Sequence, residues 1–283
     1  MNGASEEVFR TRIPTVRDDY SATLRDIASL VAQAEGVAGQ LNIPVGIGIP
    51  GTISRKTGFV KNANSTWLNG RPFQMDLSAT LNRDVKVTND ANCLAVSEAT
   101  DGAGRGYDLV FAGILGTGCG AGVAFRGLPI VGPNGVAGEW GHNALPWTTQ
   151  AELEARPCYC GKSGCQETFL SGTGLCKSYE MLTGLHLKGN EIAERAAQNE
   201  FHARQVLDTY FDQLARGLAA VINILDPDVI VLGGGASNIA DIYSVVPQLL
   251  SKYVFGFECD TPIVQAVHGD SSGVRGAAWL NPL

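Results

Sequence analysis

The chain has 283 residues, 45% hydrophobic and 17% charged, with a formal net charge of −7. That suits a globular enzyme with a large core divided between two lobes. No Lys/Arg run favours nucleic acid or a membrane surface, no apolar run reaches the roughly 18 residues of a bilayer span, and Met1 to Glu7 lacks the pattern of a signal peptide.

Ser21 to Val37 reads as an amphipathic helix, with Leu24, Ile27, Ala28, Val31 and Ala34 at helical spacing. Ile43 to Ile49 reads as a buried strand ending in Pro50-Gly51, and Val85 to Val87 as a short one. Asp90 opens a helix to about Ala99. Leu109 to Leu115 is a strand running into Gly116-Thr117-Gly118-Cys119-Gly120-Ala121-Gly122, after which Val123 to Phe125 continues as another strand. Helical patterns start near Gln166, Glu191 and Ala203. The last ends near Asp226-Pro227, because the residue before proline is driven out of the helical region. Val229 to Leu232 is a buried strand ending in Gly233-Gly234-Gly235; a helix, a strand at Ile263 to Val267 and a short helix follow. The class is α/β with mixed sheets.

His142, Cys158, Cys160 and Cys165 offer one imidazole and three thiolates, the closed tetrahedral set of a structural zinc. Glu139 precedes this histidine and Glu167 follows the last cysteine, so the metal would fix two carboxylates in one scaffold. The other cysteines, Cys93, Cys119, Cys176 and Cys259, are scattered, which fits a reducing cytoplasm better than a disulfide framework. Trp140 and Trp147 read as packing residues around the metal loop; His186, His202 and His268 carry no partner signal.

The glycines at 116–122 can turn main-chain N–H groups toward a phosphate, or simply form a tight hairpin. A strand follows them, so neither a P-loop nor a dinucleotide fingerprint fits. Gly233-Gly234-Gly235 precedes a helix and can admit a nucleobase or ribose, or be a plain turn. Asp90, at a strand-to-helix junction, is either a helix cap or a general base aimed into a cleft. The polar run Asn62 to Trp67 is either a surface loop or a reader of sugar hydroxyls.

Taken in order, Gly48-Ile49-Pro50-Gly51, Asn62 to Trp67, Asn89-Asp90-Ala91-Asn92, the 116–122 loop, Gly138-Glu139-Trp140-Gly141-His142, Cys158 to Glu167 and Val231 to Gly235 resemble the ROK family of repressors and sugar kinases. The resemblance runs from about Val8 to the end. Within the family, Asn62 to Gly70, Asn89 to Glu98, Asn223 to Gly235 and His268 to Trp279 are similar to the bacterial fructokinase or manno(fructo)kinase branch. It implies an actin-like ATPase (ribonuclease H-like) fold of two lobes with a cleft. Residues 1–107 plus 271–283 would form the small lobe and 108–270 the large one. The implied activity is ATP-dependent phosphorylation of a hexose at its 6-hydroxyl, with fructose first and mannose or glucose next. Asp90 is implied as general base; Gly51, Asn64, Asn89, Glu139, His142 and Glu167 as sugar-facing residues. Gly116, Thr117, Gly118 and Gly120 are implied to hold phosphates, Gly233, Gly234 and Gly235 adenosine, with Mg²⁺ entering alongside ATP. His142 would place one ring nitrogen on zinc and the other toward a sugar hydroxyl. The resemblance further implies a cytoplasmic homodimer whose partners are hexose and ATP, not nucleic acid. Asp270 to Gly273 resembles the turn before the last helix, near nucleotide.

One feature departs from the family pattern. Its kinases begin with a hairpin carrying Asp-x-Gly-Gly-Thr-Lys, absent here; Glu7 to Thr15 resembles the strand that follows it. The expectation is an incomplete N-terminal lobe with unpaired sheet edges and an uncovered helix face. Two explanations stand: a longer gene product, or a short chain that binds sugar with impaired catalysis. A ROK repressor would need a DNA-binding domain, and none precedes Val8.

Overall fold

The structure, a computed structural model, describes residues 1–154, 156–269 and 272–281. Asp19 opens helix α1 (Tyr20–Ala38) by accepting the Ala22 N–H at 2.8 Å. Strand β1 (Val45–Ile49) runs parallel to β4 (Val85–Asn89), joined by a small hairpin of β2 (Thr52–Ile53) and β3 (Val60–Lys61) and by helix α2 (Phe73–Leu81). Ile49, Val60, Leu68, Phe73, Leu77 and Val85 form this region's buried core.

Cover is incomplete. Leu24, Ile27, Ala28, Val31 and Ala34 of α1 lie at helical spacing as expected, yet each is only half-buried. The strand expected over Glu7 to Thr15 is absent: the segment has no ladder, and Val8 and Ile13 are exposed. A β-prone run becomes a strand only where a neighbour accepts its backbone bonds, and among the described residues β1 pairs only with β4.

After α3 (Asp90–Asp101) comes a five-stranded sheet in the order β7-β6-β5-β8-β9, made of β5 (Leu109–Leu115), β6 (Cys119–Phe125), β7 (Leu128–Pro129), β8 (Val229–Gly233) and β9 (Ile263–Gln265). β5 and β6 are the expected antiparallel hairpin, and β8 and β9 add in parallel. Helices α4 (Gln150–Glu154), α5 (Glu167–Leu170), α6 (Gly172–Thr183), α7 (Gly189–Ala197), α8 (Phe201–Leu225) and α9 (Ile242–Leu250) lie between or after these strands. The long α8 buries Leu207, Phe211, Leu214 and Leu218 in one core with Phe111, Ile230 and Leu232 of the sheet. Leu94 and Ala95 of α3 share a second core with Val110, Ala112, Val229 and Val231. β5 and β8 are thus covered on both faces, which is why they read as unbroken apolar runs.

α8 stops at Asp226, as expected, but this residue caps the helix in the left-handed conformation (φ 45°) rather than turning extended. β9 ends two residues before Val267, because the Val267 N–H donates to Glu98 Oε2 at 3.1 Å instead of a ladder. α10 (Ser272–Ala278) packs on α3 and on β1. Although counted with the small lobe in the sequence, α3 shares its core with the large sheet, and α3 and α10 are the join between the two regions. Asp270 and Ser271 lie outside the described residues. No described helix is long and apolar enough to cross a membrane.

Candidate functional site

The four proposed metal ligands converge. One ligand atom from each of His142, Cys158, Cys160 and Cys165 lies within 4.8 Å of all the others. His142 Nδ1 is 3.7 Å from Cys158 Sγ, and Cys160 Sγ is 3.6 Å from Cys165 Sγ. A tetrahedron with bonds of about 2.0–2.3 Å has edges of about 3.3–3.8 Å, so the donor set fits zinc. The loop is built by short-range bonds: Cys158 N–H donates to the Lys162 carbonyl at 2.8 Å and Leu145 N–H to the Gly164 carbonyl at 2.9 Å.

Trp140 is buried beside His142; its Nε1–H donates to the Gly120 carbonyl at 2.9 Å and its ring meets Phe111 edge-on. The metal loop is thereby fastened to β6. Trp147 departs from its expected packing role: it is exposed, against Tyr253. His142 Nε2 was expected to face a sugar hydroxyl. The structure places the Tyr159 hydroxyl there, at 2.9 Å.

The glycine hairpin turns at Gly116 to Gly118; Gly120 already belongs to β6 and pairs with Ile114. Glu167 Oε2 accepts the Cys119 N–H at 3.0 Å, so a carboxylate assigned to sugar is attached to the turn assigned to phosphate. The start of α6 clasps the same turn: Gly172 N–H donates to the Gly116 carbonyl at 2.7 Å and Thr173 Oγ1 to the Thr117 carbonyl at 2.9 Å. On the other side Gly234 has φ 87°, and a Cβ there would lie 2.6 Å from the Leu115 carbonyl carbon. Only glycine lets the 233–235 turn close onto the hairpin. The two glycine clusters named in the sequence are therefore neighbours, with Gly233 paired to Ile114.

Asp90 is the first residue of α3. The capping role falls to Asn89, whose Oδ1 accepts the Ala91 N–H at 2.8 Å. Asn89 Nδ2 donates to the Gly51 carbonyl at 3.3 Å, so Asn89 already serves both the helix and the Gly51 turn. The Asn64 N–H donates to the Pro50 carbonyl at 3.1 Å, which brings Asn64 beside that turn. Asp90 is open to solvent yet set deep among protein atoms, as at the floor of a cleft. Partial desolvation raises its pKa above the usual carboxylate value, against hydrogen bonds from backbone N–H groups and Asn89. The first turn of α3 rests on β6 at Gly122, where any Cβ would collide with the Ala91 carbonyl. Gly138, just before Glu139, rests on Ala121 of the same strand. Asp90 and Glu139 are thus held on adjoining parts of β6, and the Glu139 residue is exposed.

A cavity of about 590 Å³ opens beside the metal loop, lined by Asn64, Thr117, Gly118, Tyr159, Glu167 and Thr173 among others. Asp90, Asn89, Gly51 and Glu139 lie outside its lining. Tyr159 and Thr173 were missed in the sequence. Tyr159 had one signal, its place between two metal ligands in Cys158-Tyr159-Cys160; Thr173 had its place at the head of a Gly-rich helix. His268 was missed too: its Nε2 lies 3.0 Å from Asp101 Oδ1 at the α3–α10 join.

The ROK family model matches residues 1–282. The chain belongs to the ROK family. N-acetyl-D-glucosamine kinases of Escherichia coli O1:K1 / APEC and of strain HS (O9:H4) are each 40% identical to it over 280 residues, 96% of this chain and 91% of theirs. Among solved structures, the ROK hexokinase from Thermus thermophilus superposes with a TM-score of 0.83 at 26% identity, covering 95% of this chain and 88% of that one. A ROK family glucokinase from Streptomyces griseus, in complex with glucose and AMPPNP, gives 0.71 at 27% identity, covering 92% and 87%. The fold is the actin-like ATPase fold of ROK sugar kinases.

Proposed function

We propose that this ROK protein is a sugar kinase that transfers the γ-phosphoryl of ATP to the 6-hydroxyl of a hexose, with Asp90 as general base. The observation that carries the reading is the bond from the Cys119 N–H to Glu167 Oε2, which ties the sugar-side carboxylate to the glycine hairpin. Phosphoryl transfer demands little covalent work from the protein; it demands acceptor and donor in line, with charge compensated. ATP supplies the phosphoryl group, entering with Mg²⁺. The N–H groups of Gly116 to Gly118 would face its phosphates, and Gly233 to Gly235 its adenosine. Asp90 orients the acceptor hydroxyl and takes its proton, while Asn64, Glu139 and Glu167 hold the other hydroxyls. Zinc held by His142, Cys158, Cys160 and Cys165 stiffens the loop carrying these groups.

Fructose is the proposed hexose. Its support is the likeness of Asn62 to Gly70 and Asn223 to Gly235 to the fructokinase branch. N-acetyl-D-glucosamine is the second reading, favoured by the names of the relatives at 40% identity. A coupled ADP-release assay over a hexose panel tests both. Turnover on fructose with little on N-acetyl-D-glucosamine supports the first, and the reverse the second. Sugar-dependent thermal stabilisation without turnover on any hexose would leave a sugar-binding protein and overturn the kinase reading.

A further inference from the structure

Tyr159 is 83% exposed, although its ring meets His142 edge-on at 5.2 Å between centroids. Its hydroxyl is 2.9 Å from His142 Nε2. Glu167 and Glu139 are among the charges acting on this phenol, so it sits among the groups assigned to sugar, and it lines the cavity that Glu167 and Asn64 line. Nothing on the packing side requires a phenol there: the metal loop is closed by backbone bonds and by Trp140. A tyrosine left standing in a polar cavity is a residue for contact.

The hydrogen-bond polarity follows from the metal site. With Nδ1 on the metal, the imidazole carries its proton on Nε2 and donates it to the Tyr159 oxygen. The phenolic O–H is then free to donate into the cavity, where the available partner is a substrate oxygen. The ring also takes up room: a ligand group larger than a hydroxyl, on the sugar carbon facing His142, meets the phenol before it meets the imidazole.

We infer that Tyr159 determines which hexose this site accepts: its hydroxyl donates to a ring hydroxyl of the substrate, and its ring disfavours sugars bearing a bulky substituent on that face. The inference rests on the sugar-site reading above and sharpens it, since it ranks unsubstituted hexoses ahead of acetamido sugars.

The test compares wild type, Tyr159→Phe and Tyr159→Gly by steady-state kinetics and by calorimetric binding of fructose and N-acetyl-D-glucosamine, with zinc content as a check on the loop. Tyr159→Phe keeps the ring and should raise the fructose KM and Kd roughly 3- to 10-fold, with kcat changed less than about 2-fold. Tyr159→Gly should raise the preference for N-acetyl-D-glucosamine over fructose by at least about 10-fold. A phenylalanine variant with wild-type fructose affinity, together with a glycine variant with the wild-type preference, overturns the inference. A wild type that binds hexose but never transfers phosphate overturns the kinase reading alone, because the binding comparison still decides the role of Tyr159. A wild type that binds no hexose overturns both.

Discussion

The two regions joined by α3 and α10 are built to different standards. The five-stranded sheet is covered on both faces, and α8 alone contributes Leu207, Phe211, Leu214 and Leu218 at no more than 2% exposure. The β1–β4 sheet has two strands, and the apolar stripe of its main helix, α1, is half open. Two strands and a partly covered helix are marginal on their own. The smaller region therefore leans on α10, where Gly46 of β1 lies directly against the Ala277 carbonyl. A single chain thus carries a stiff half, holding the hairpin, metal loop and Glu167, and a soft half, holding Gly51 and Asn64.

The sharpest test concerns the joint. Asp90→Ala should lower turnover on the order of 10²–10⁴-fold while hexose binding is kept, because removing a general base has that typical cost. Unchanged turnover in the ADP-release assay would refute the assignment. The raised pKa of Asp90 sets a sign as well: the base works as carboxylate, so activity falls as pH drops through a value above the ordinary aspartate range. An Asp90-independent acid limb would break that link.

Next comes the contrast in packing. Leu218→Ala, at a fully buried position of α8, should cost about 2–5 kcal/mol in denaturant unfolding. Leu24→Ala on the half-open face of α1 should cost about half as much or less. Equal costs would mean that the two regions are packed alike. Amide exchange should agree, with α1 and β1 exchanging faster than β5 and β8.

Metal removal separates the halves in another way. Elemental analysis should find about one zinc per chain. A strong chelator should speed amide exchange through 138–172 and leave β1 and β4 nearly unchanged. Metal-free protein with the same exchange pattern would exclude a structural role.

The smallest expected effect is a pH dependence inside the stiff half. Burial alone would raise the Glu152 carboxyl, but hydrogen bonds from Arg216, the Thr149 N–H and Gln213 outweigh it and hold its pKa at about 2. The folded value lies below the unfolded one of about 4.3. Its contribution to stability is therefore complete above about pH 4.3 and is lost as pH falls toward 2. Glu152→Gln should flatten that part of the stability–pH curve; an unaltered curve would count against the pairing with Arg216.

What could be read from the sequence was mostly local. The metal set spans 24 residues with fixed small spacers, and the hairpin at 116–118 announces itself by glycines between two apolar runs. Strand positions in the large sheet were legible because burial on both faces leaves continuous apolar stretches. The strand expected at Glu7 to Thr15 failed for the opposite reason: composition shows a residue's liking for a strand, never whether a neighbour is there to pair with. His268 and Asp101 meet across 167 positions, a distance over which spacing carries no information. Tyr159 was passed over because it stood between ligands and was taken for filler. Asp90 and Asn89 divided their roles in a way a strand-to-helix junction cannot reveal, since either residue type can cap.

Gly122 carries a consequence for how this enzyme could be altered. The first turn of α3 occupies the volume that a methyl group at 122 would fill. Replacing that hydrogen by even one carbon would lift the helix off its strand and carry the reactive oxygen away from the phosphate turn. A misplacement of about an ångström can cost a hundredfold in rate, so catalytic alignment here depends on an atom the protein does without.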